Sequence, residues 1–153
     1  MTAADLPLLH RWLNEPHVVQ WWGEPAAQFD LVSGDLADPA VEQFIVMKNE
    51  TPFAYLQCYD PEAWAVTWIG AQPRNSRCID QFIGEVDMVG RGHGSSFIRA
   101  FVDDLLLKGI PRILTDPAPD NERAIRAYEK AGFRREHMVE TPGGAALLMV
   151  RDA

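Results

Sequence analysis

Cysteine is scarce in this chain, with only Cys58 and Cys78 present. Two thiols make no disulfide framework, and a reducing cytoplasm is the simpler setting for them. No apolar run approaches the ~20 residues that a membrane helix needs, and no basic stretch leads into an apolar one at the N-terminus. Neither a membrane span nor a secretory leader is therefore expected. Positive charge is also short: 14 Lys and Arg stand against 22 Asp and Glu, a net charge of -8. That balance argues against nucleic acid and is compatible with a small cationic partner, although an acidic surface serves solubility equally well. Repeats and low-complexity tracts are missing too. At 153 residues, 47% of them hydrophobic, the sequence is most simply one domain (1–153) whose core needs no staples.

The most informative stretch is 79–97, IDQFIGEVDMVGRGHGSSF. An apolar strand-like run ends near Gly84. Val89, Gly90, Arg91, Gly92, His93 and Gly94 follow, with Ser95 and Ser96 opening a strongly periodic helix. Glycines allow close approach of an anion, and consecutive N–H groups at a helix start carry positive partial charge, which is chemistry for a pyrophosphate. The cluster lacks the Lys-Ser/Thr pair of a nucleotide P-loop and the Gly-x-Gly-x-x-Gly order of a dinucleotide fold, and by itself it reads equally as a tight turn.

The remaining elements are predicted from periodicity. Asp5 caps a helix carrying Leu8, Leu9, Trp12 and Leu13, and Pro16 stops it. The segment His17–Gly23 reads as a connection with two tryptophans, Trp21 and Trp22, which either close the core or wall an acceptor pocket. A helix is predicted over 26–36 and a hairpin over 41–59 turning at Asn49-Glu50. Residues 60–77 form a long exposed loop containing Trp64 and Trp68, of the kind that carries substrate contacts. A strand over 78–82 precedes the glycines. After the long helix come a short buried strand over 113–115, a helix through Ala131 capped by Asp120 or Asn121, and a hairpin around Pro142-Gly143-Gly144.

A second motif lies downstream: Asn121-Glu122-Arg123-Ala124-Ile125-Arg126-Ala127-Tyr128-Glu129-Lys130-Ala131-Gly132-Phe133. Together with Arg91-Gly92-His93-Gly94 and the intervening helix and strand, it resembles the GNAT superfamily of N-acetyltransferases. Trp21-Trp22-Gly23, Ile79-Asp80-Gln81, Thr115-Asp116-Pro117 and Thr141-Pro142-Gly143-Gly144 make the chain look most like the aminoglycoside 6′-N-acetyltransferases. The resemblance implies an α/β fold with a mixed, mostly antiparallel sheet, helices on its faces and a splayed central strand pair. It implies acetyl-CoA as cosubstrate, with its pyrophosphate on the N–H groups from Arg91 to Ser96 and with Val89 and Gly90 also at the cosubstrate site. Asn121, Ala124 and Lys130 are implied beside it. Pantetheine would lie between the strands ending near Phe82 and at Thr115, with N–H groups at Phe82 and Ile83 holding the oxyanion.

The same resemblance makes Tyr128 the general acid and sets Asp80 beside the acceptor amine. Each has a plainer reading. Tyr128 shares a face with Ala124 and Ile125 and fits a core position, while Asp80 fits a solvated outer face of its strand. An Asp of ordinary pKa near ~4 is a poor base for an ammonium, so Asp80 chiefly orients the cation unless burial raises its pKa. Asp116 is either a turn former before proline or a second anchor for amino groups, and Asp60 is an acceptor carboxylate offered by the loop. His93 reads as a surface histidine without a metal, since no Cys/His partner stands at ligand spacing.

The sequence departs from its relatives in places. Val89 replaces their usual Gln or Arg. The loop over 60–77 lacks their dense acidic run and holds Arg74 and Arg77, and Gly143 stands where they have Asp. The superfamily's first strand is also missing ahead of the first helix. Either the start lies late or the sheet is one strand short, with an edge that favours pairing, so monomer and homodimer are both open. The expected reaction is acetyl transfer to an aminoglycoside-like amine. A small metabolite amine or a siderophore-type hydroxylamine is the alternative, and a non-catalytic acetyl-CoA-binding module is the rival of another class.

Overall fold

Helices occupy the chain ahead of its first strand in the computed structural model, which describes residues 1–153: α1 (Leu6–Leu13), α2 (Pro16–Trp22) and α3 (Pro25–Gly34). A proline stands in the first turn of each, where no intrahelical N–H is missed. Pro16 thus ends α1 by starting α2, and the predicted connection around Trp21 and Trp22 is a helix closed by Gly23 at φ 85°. Asp5 does not cap α1. Its carboxylate accepts the Thr2 N–H at 2.7 Å and completes a capping box with Thr2.

Six strands follow: β1 (Val41–Lys48), β2 (Thr51–Tyr59), β3 (Arg77–Ile83), β4 (Arg112–Thr115), β5 (Arg134–Thr141) and β6 (Gly144–Asp152). They form one sheet in the order β1-β2-β3-β4-β6-β5. Every neighbouring pair is antiparallel except β3 and β4. This is the mixed, mostly antiparallel sheet that the resemblance implied. Asn49 and Glu50, at φ 47° and 66°, make the tight hairpin turn between β1 and β2. No strand precedes α1, so β1 is an edge strand, and the Met1 amino group donates to its Gln43 carbonyl at 2.6 Å.

The splay between β3 and β4 is visible in the register. They pair only at Arg77↔Ile113 and Cys78↔Leu114, after which β3 runs on to Ile83 without β4 beside it. Alternation along the strands decides what faces the gap from each side. Leu56, Ile79 and Ile113 join the cluster under α4 (His93–Leu107) and α5 (Glu122–Lys130), where Ile98, Val102, Ile125 and Tyr128 are buried. Tyr55 and Phe82 point to the other face, against Leu9, Trp12, Leu13 and Val18.

Trp12 rivets α1 to the end of β3. A Cβ on Gly84 would fall 2.1 Å from the indole, so only glycine admits the ring there. The indole N–H donates to Glu85 at 2.9 Å, and Arg11 pairs with the same carboxylate. Burial of Trp12 thus fixes where β3 stops and where the glycine loop starts.

Candidate active site

A cavity of about 400 Å³ lies between α2, the end of β3, the glycine loop and α5. Of the residues expected at the cosubstrate site, Phe82, Ile83, Val89, Gly90, Gly92, Gly94, Ser95, Asn121, Ala124 and Lys130 all line it. Gly90 and Gly92 have φ 76° and 81°, a left-handed backbone that L side chains resist. Gly92 is the N-cap of α4, so the helix begins at His93, two residues before the predicted start. Ser96 N–H already donates to Gly92 at 3.2 Å. The free N–H groups at this helix start therefore end at Ser95. The Arg91 side chain is exposed and outside the cavity. His93 is turned away as well, with Nε2 3.3 Å from Lys48 Nζ and its ring edge-on to Phe53. Neither residue lines the cavity.

The Asn121 carboxamide is already engaged, because its Oδ1 accepts the Ala124 N–H at 3.2 Å and caps α5. Arg123, Arg126, Ala127 and Lys130 also line the cavity. Their spacing of i, i+3, i+4 and i+7 puts them on one face of α5. That periodicity was present in the sequence and would have found the cationic rim. The fit to acetyl-CoA rests on these features: open glycines at a helix start, cations opposite them, and an apolar slot at Phe82 and Ile83 leading into the sheet.

The end of β3 shows which amide faces that slot. Gly84 N–H donates to Phe53 on β2, so by alternation the main chain of Phe82 turns to β2 as well. Ile83 turns the other way, and its carbonyl accepts His17 Nε2–H at 2.8 Å. Of the two expected oxyanion donors, the Ile83 N–H faces the gap and the Phe82 N–H does not. His17 also lines the cavity, and nothing in its sequence context signalled this contact.

Trp21 and Trp22 line the same cavity. Trp22 stands edge-on to Phe82 at 4.9 Å and to Tyr55 at 5.9 Å, so it closes the core and walls the site at once.

Asp80 is partly buried on the β3 face shared with Cys78 and Phe82, which rules out the solvated outer face. Its Oδ2 accepts Gln57 Nε2–H at 2.9 Å. Burial, and then the Asp116 carboxylate, push its pKa up to about 7 against the opposing pull of Gln57 and Tyr59. Asp116 follows β4 and accepts the Trp68 indole N–H at 2.7 Å, and burial raises its pKa as well. Tyr128 is 3% exposed on the opposite face of the gap, edge-on to Phe133 at 5.4 Å. Burial raises its pKa and keeps the phenol protonated, although Thr115 and Gln81 pull the other way. Tyr128 is thus a core residue by packing, with its hydroxyl near Thr115 and Gln81.

Asp60 does not join this group. Its carboxylate accepts N–H groups of Glu62 and Ala63 at 2.9 and 3.4 Å and lies 3.7 Å from Arg77, so it holds the loop turn. The loop is less exposed than expected. Pro61, Ile69 and Ser76 are buried, and Trp64 stacks on Tyr59 at 4.4 Å. Trp68 ties it to Asp116.

The pattern of the acetyltransferase (GNAT) domain family matches residues 1–141. The chain is 38% identical to an aminoglycoside N(6′)-acetyltransferase type 1 of Klebsiella pneumoniae over 163 aligned positions, covering 99% of this chain and 80% of that protein. An N(6)-hydroxylysine O-acetyltransferase of Escherichia coli is 24% identical over 98% of this chain, which spans 49% of that protein. Among solved structures, the aminoglycoside acetyltransferase AAC(6′)-Ib in complex with coenzyme A and kanamycin superposes with a TM-score of 0.86. It is 37% identical, with 99% of this chain and 91% of that one covered.

Proposed function

The chain belongs to the GNAT acetyltransferase family, and on that premise we propose that it transfers the acetyl group of acetyl-CoA to the 6′-amine of an aminoglycoside. The observation that carries this reading is the pairing of two chemistries around one gap. A glycine-and-cation cradle for a diphosphate lines the cavity on the α4–α5 side, and two neighbouring carboxylates, Asp80 on β3 and Asp116 after β4, lie beyond that lining where the two strands part.

Acetyl-CoA supplies an acyl group on a thiolate leaving group. The chain's own residues do the rest. The glycine loop and the N–H groups from His93 to Ser95 hold the diphosphate, with Arg123, Arg126 and Lys130 adding positive charge. Asp116 and Asp80 attract the acceptor ammonium, and Asp80, near pKa 7, is well matched to take its proton at neutral pH. The Ile83 N–H is aimed at the developing oxyanion. Tyr128, held protonated by burial, can give its proton to the departing thiolate. A phenol of raised pKa is a weak acid, but a thiolate left in the same buried gap is made more basic by the same desolvation.

Carboxylates other than Asp60 must meet the acceptor, which is small and cationic. The buried free thiols Cys58 and Cys78 suit a reducing cytoplasm, and one domain acting as monomer or homodimer suffices for this chemistry. An assay of thiol release from acetyl-CoA with kanamycin or tobramycin tests the reading. Turnover with these and not with simple amines supports it; the reverse preference overturns it in favour of a metabolite amine.

A further inference from the structure

A chain of buried polar groups runs inward from Asp80, and acetyl transfer as described leaves it unused. Gln57 stands opposite Asp80 in the β2–β3 register and donates Nε2–H to Asp80 Oδ2 at 2.9 Å. Its Oε1 accepts the Tyr55 hydroxyl at 2.8 Å. Gln57 is 8% exposed and Tyr55 0%, so water does not compete for either. The Gln43 side chain lies beside the Tyr55 hydroxyl. Its Nε2 donates to the Val32 carbonyl at 2.8 Å, and its Oε1 is a buried oxygen without any partner. A lone buried acceptor is costly, and in this arrangement the nearby Tyr55 hydroxyl is given to Gln57 instead.

Resting on the reading of Asp80 as the base, we propose that Gln57 is its positioning residue, and that Tyr55 and Gln43 let Gln57 serve both protonation states. With Asp80 ionised, the Gln57 N–H fixes Oδ2 and leaves Oδ1 for the acceptor. In the proton transfer one N–H bond of the ammonium breaks and one O–H bond of Asp80 forms, with no other covalent change. With the proton on Oδ1, Oδ2 still accepts from Gln57; a proton that moves to Oδ2 would face an N–H donor. Reversal of the amide then presents Oε1 to the carboxylic acid and Nε2 to the Tyr55 oxygen, while the Tyr55 hydroxyl turns to Gln43 Oε1. In the reversed arrangement the lone oxygen of Gln43 gains a donor.

The titratable groups around Asp80 are Asp116 beyond β4, Tyr55, Cys58 and Tyr59 on β2, Cys78 on β3 and Tyr128 on α5. None is a cation. Gln57 is therefore the main group favouring the carboxylate, ahead of Tyr59.

The experiment is the pH dependence of kcat/KM with acetyl-CoA and kanamycin for the wild type, Gln57→Leu, Gln43→Met, Tyr55→Phe and Asp80→Asn. Gln57→Leu removes the donor to the carboxylate and moves the acidic limb up by about one unit. Gln43→Met removes the acceptor used in the protonated state and moves the limb down. On the Tyr55→Phe background Gln43→Met moves nothing, because the link between them is gone. A role in packing alone would not shift the limb in opposite directions. If the limb stays in place in Gln57→Leu and Gln43→Met but vanishes in Asp80→Asn, the relay is wrong and the base stands. If it persists in Asp80→Asn, the base reading fails and the relay with it. Should Gln57→Leu not fold, Gln43→Met in the two Tyr55 backgrounds decides alone.

Discussion

Asp80 sits where burial and a neighbouring carboxylate both oppose its charge, and two consequences follow for one side chain. Its pKa is raised from 3.8 to about 7 in the folded protein. The folded state therefore holds a proton that the unfolded chain has released between about pH 4 and 7, and stability falls as pH rises through that window. Asp80→Asn is predicted to raise the melting temperature at pH 8 and to leave it nearly unchanged at pH 4, as a thermal melt at the two values would show. On the proposed reading, in which the ionised form takes the amine's proton, activity moves the other way and kcat/KM climbs as pH passes 7 in the wild type. Tyr128→Phe keeps the buried ring and its contact with Phe133 while removing the proton. Turnover is expected to fall about a hundredfold or more with CoA affinity unchanged by calorimetry. Unaltered turnover in that variant would take Tyr128 out of the mechanism.

At the scale of elements, glycine decides the geometry twice. Gly84 admits the Trp12 ring, and Gly84→Ala is expected to cost about 1–3 kcal/mol, since Trp12 is fully buried and has no room to retreat. Chemical denaturation would measure it, and an unshifted midpoint would show that α1 is not anchored there. Gly92 starts α4 from a left-handed backbone with open space around it, so Gly92→Ala strains the loop by about 1–2 kcal/mol without a clash. That variant should weaken CoA binding far more than it lowers the melting temperature. Most elements were legible in the sequence because their signals are local: the α4 stripe, the Asn49-Glu50 turn, the Asn121 cap and the Gly132 stop. The α2 helix was missed because its tryptophans look like pocket residues and its proline like a breaker, although Pro16 at the first helical position starts it. The Gln57–Asp80 contact was not legible, because it exists only across the register of two strands. Asp60 misled for the opposite reason. A carboxylate in an exposed loop reads as a ligand for cations until its own turn is seen to use it.

For the whole molecule, the net charge of -8 and the coupled carboxylates at the gap favour a polycationic acceptor, and rising salt screens that attraction. The KM for an aminoglycoside should therefore rise with ionic strength while kcat stays level; a flat KM would place the specificity in contacts other than charge. The departures of the loop matter at this scale as well. Without the acidic run that the family resemblance led us to expect in this loop, and with Trp68 holding Asp116, the acceptor side depends on few carboxylates, which makes the position of acetylation the sharpest readout of the site. The most direct measurement is to incubate the protein with acetyl-CoA and kanamycin and locate the transferred group by NMR. One acetyl group on the 6′-amine, with stoichiometric release of CoA, is the predicted result. Acetylation at another amine, or none while a small amine is consumed, would contradict the account.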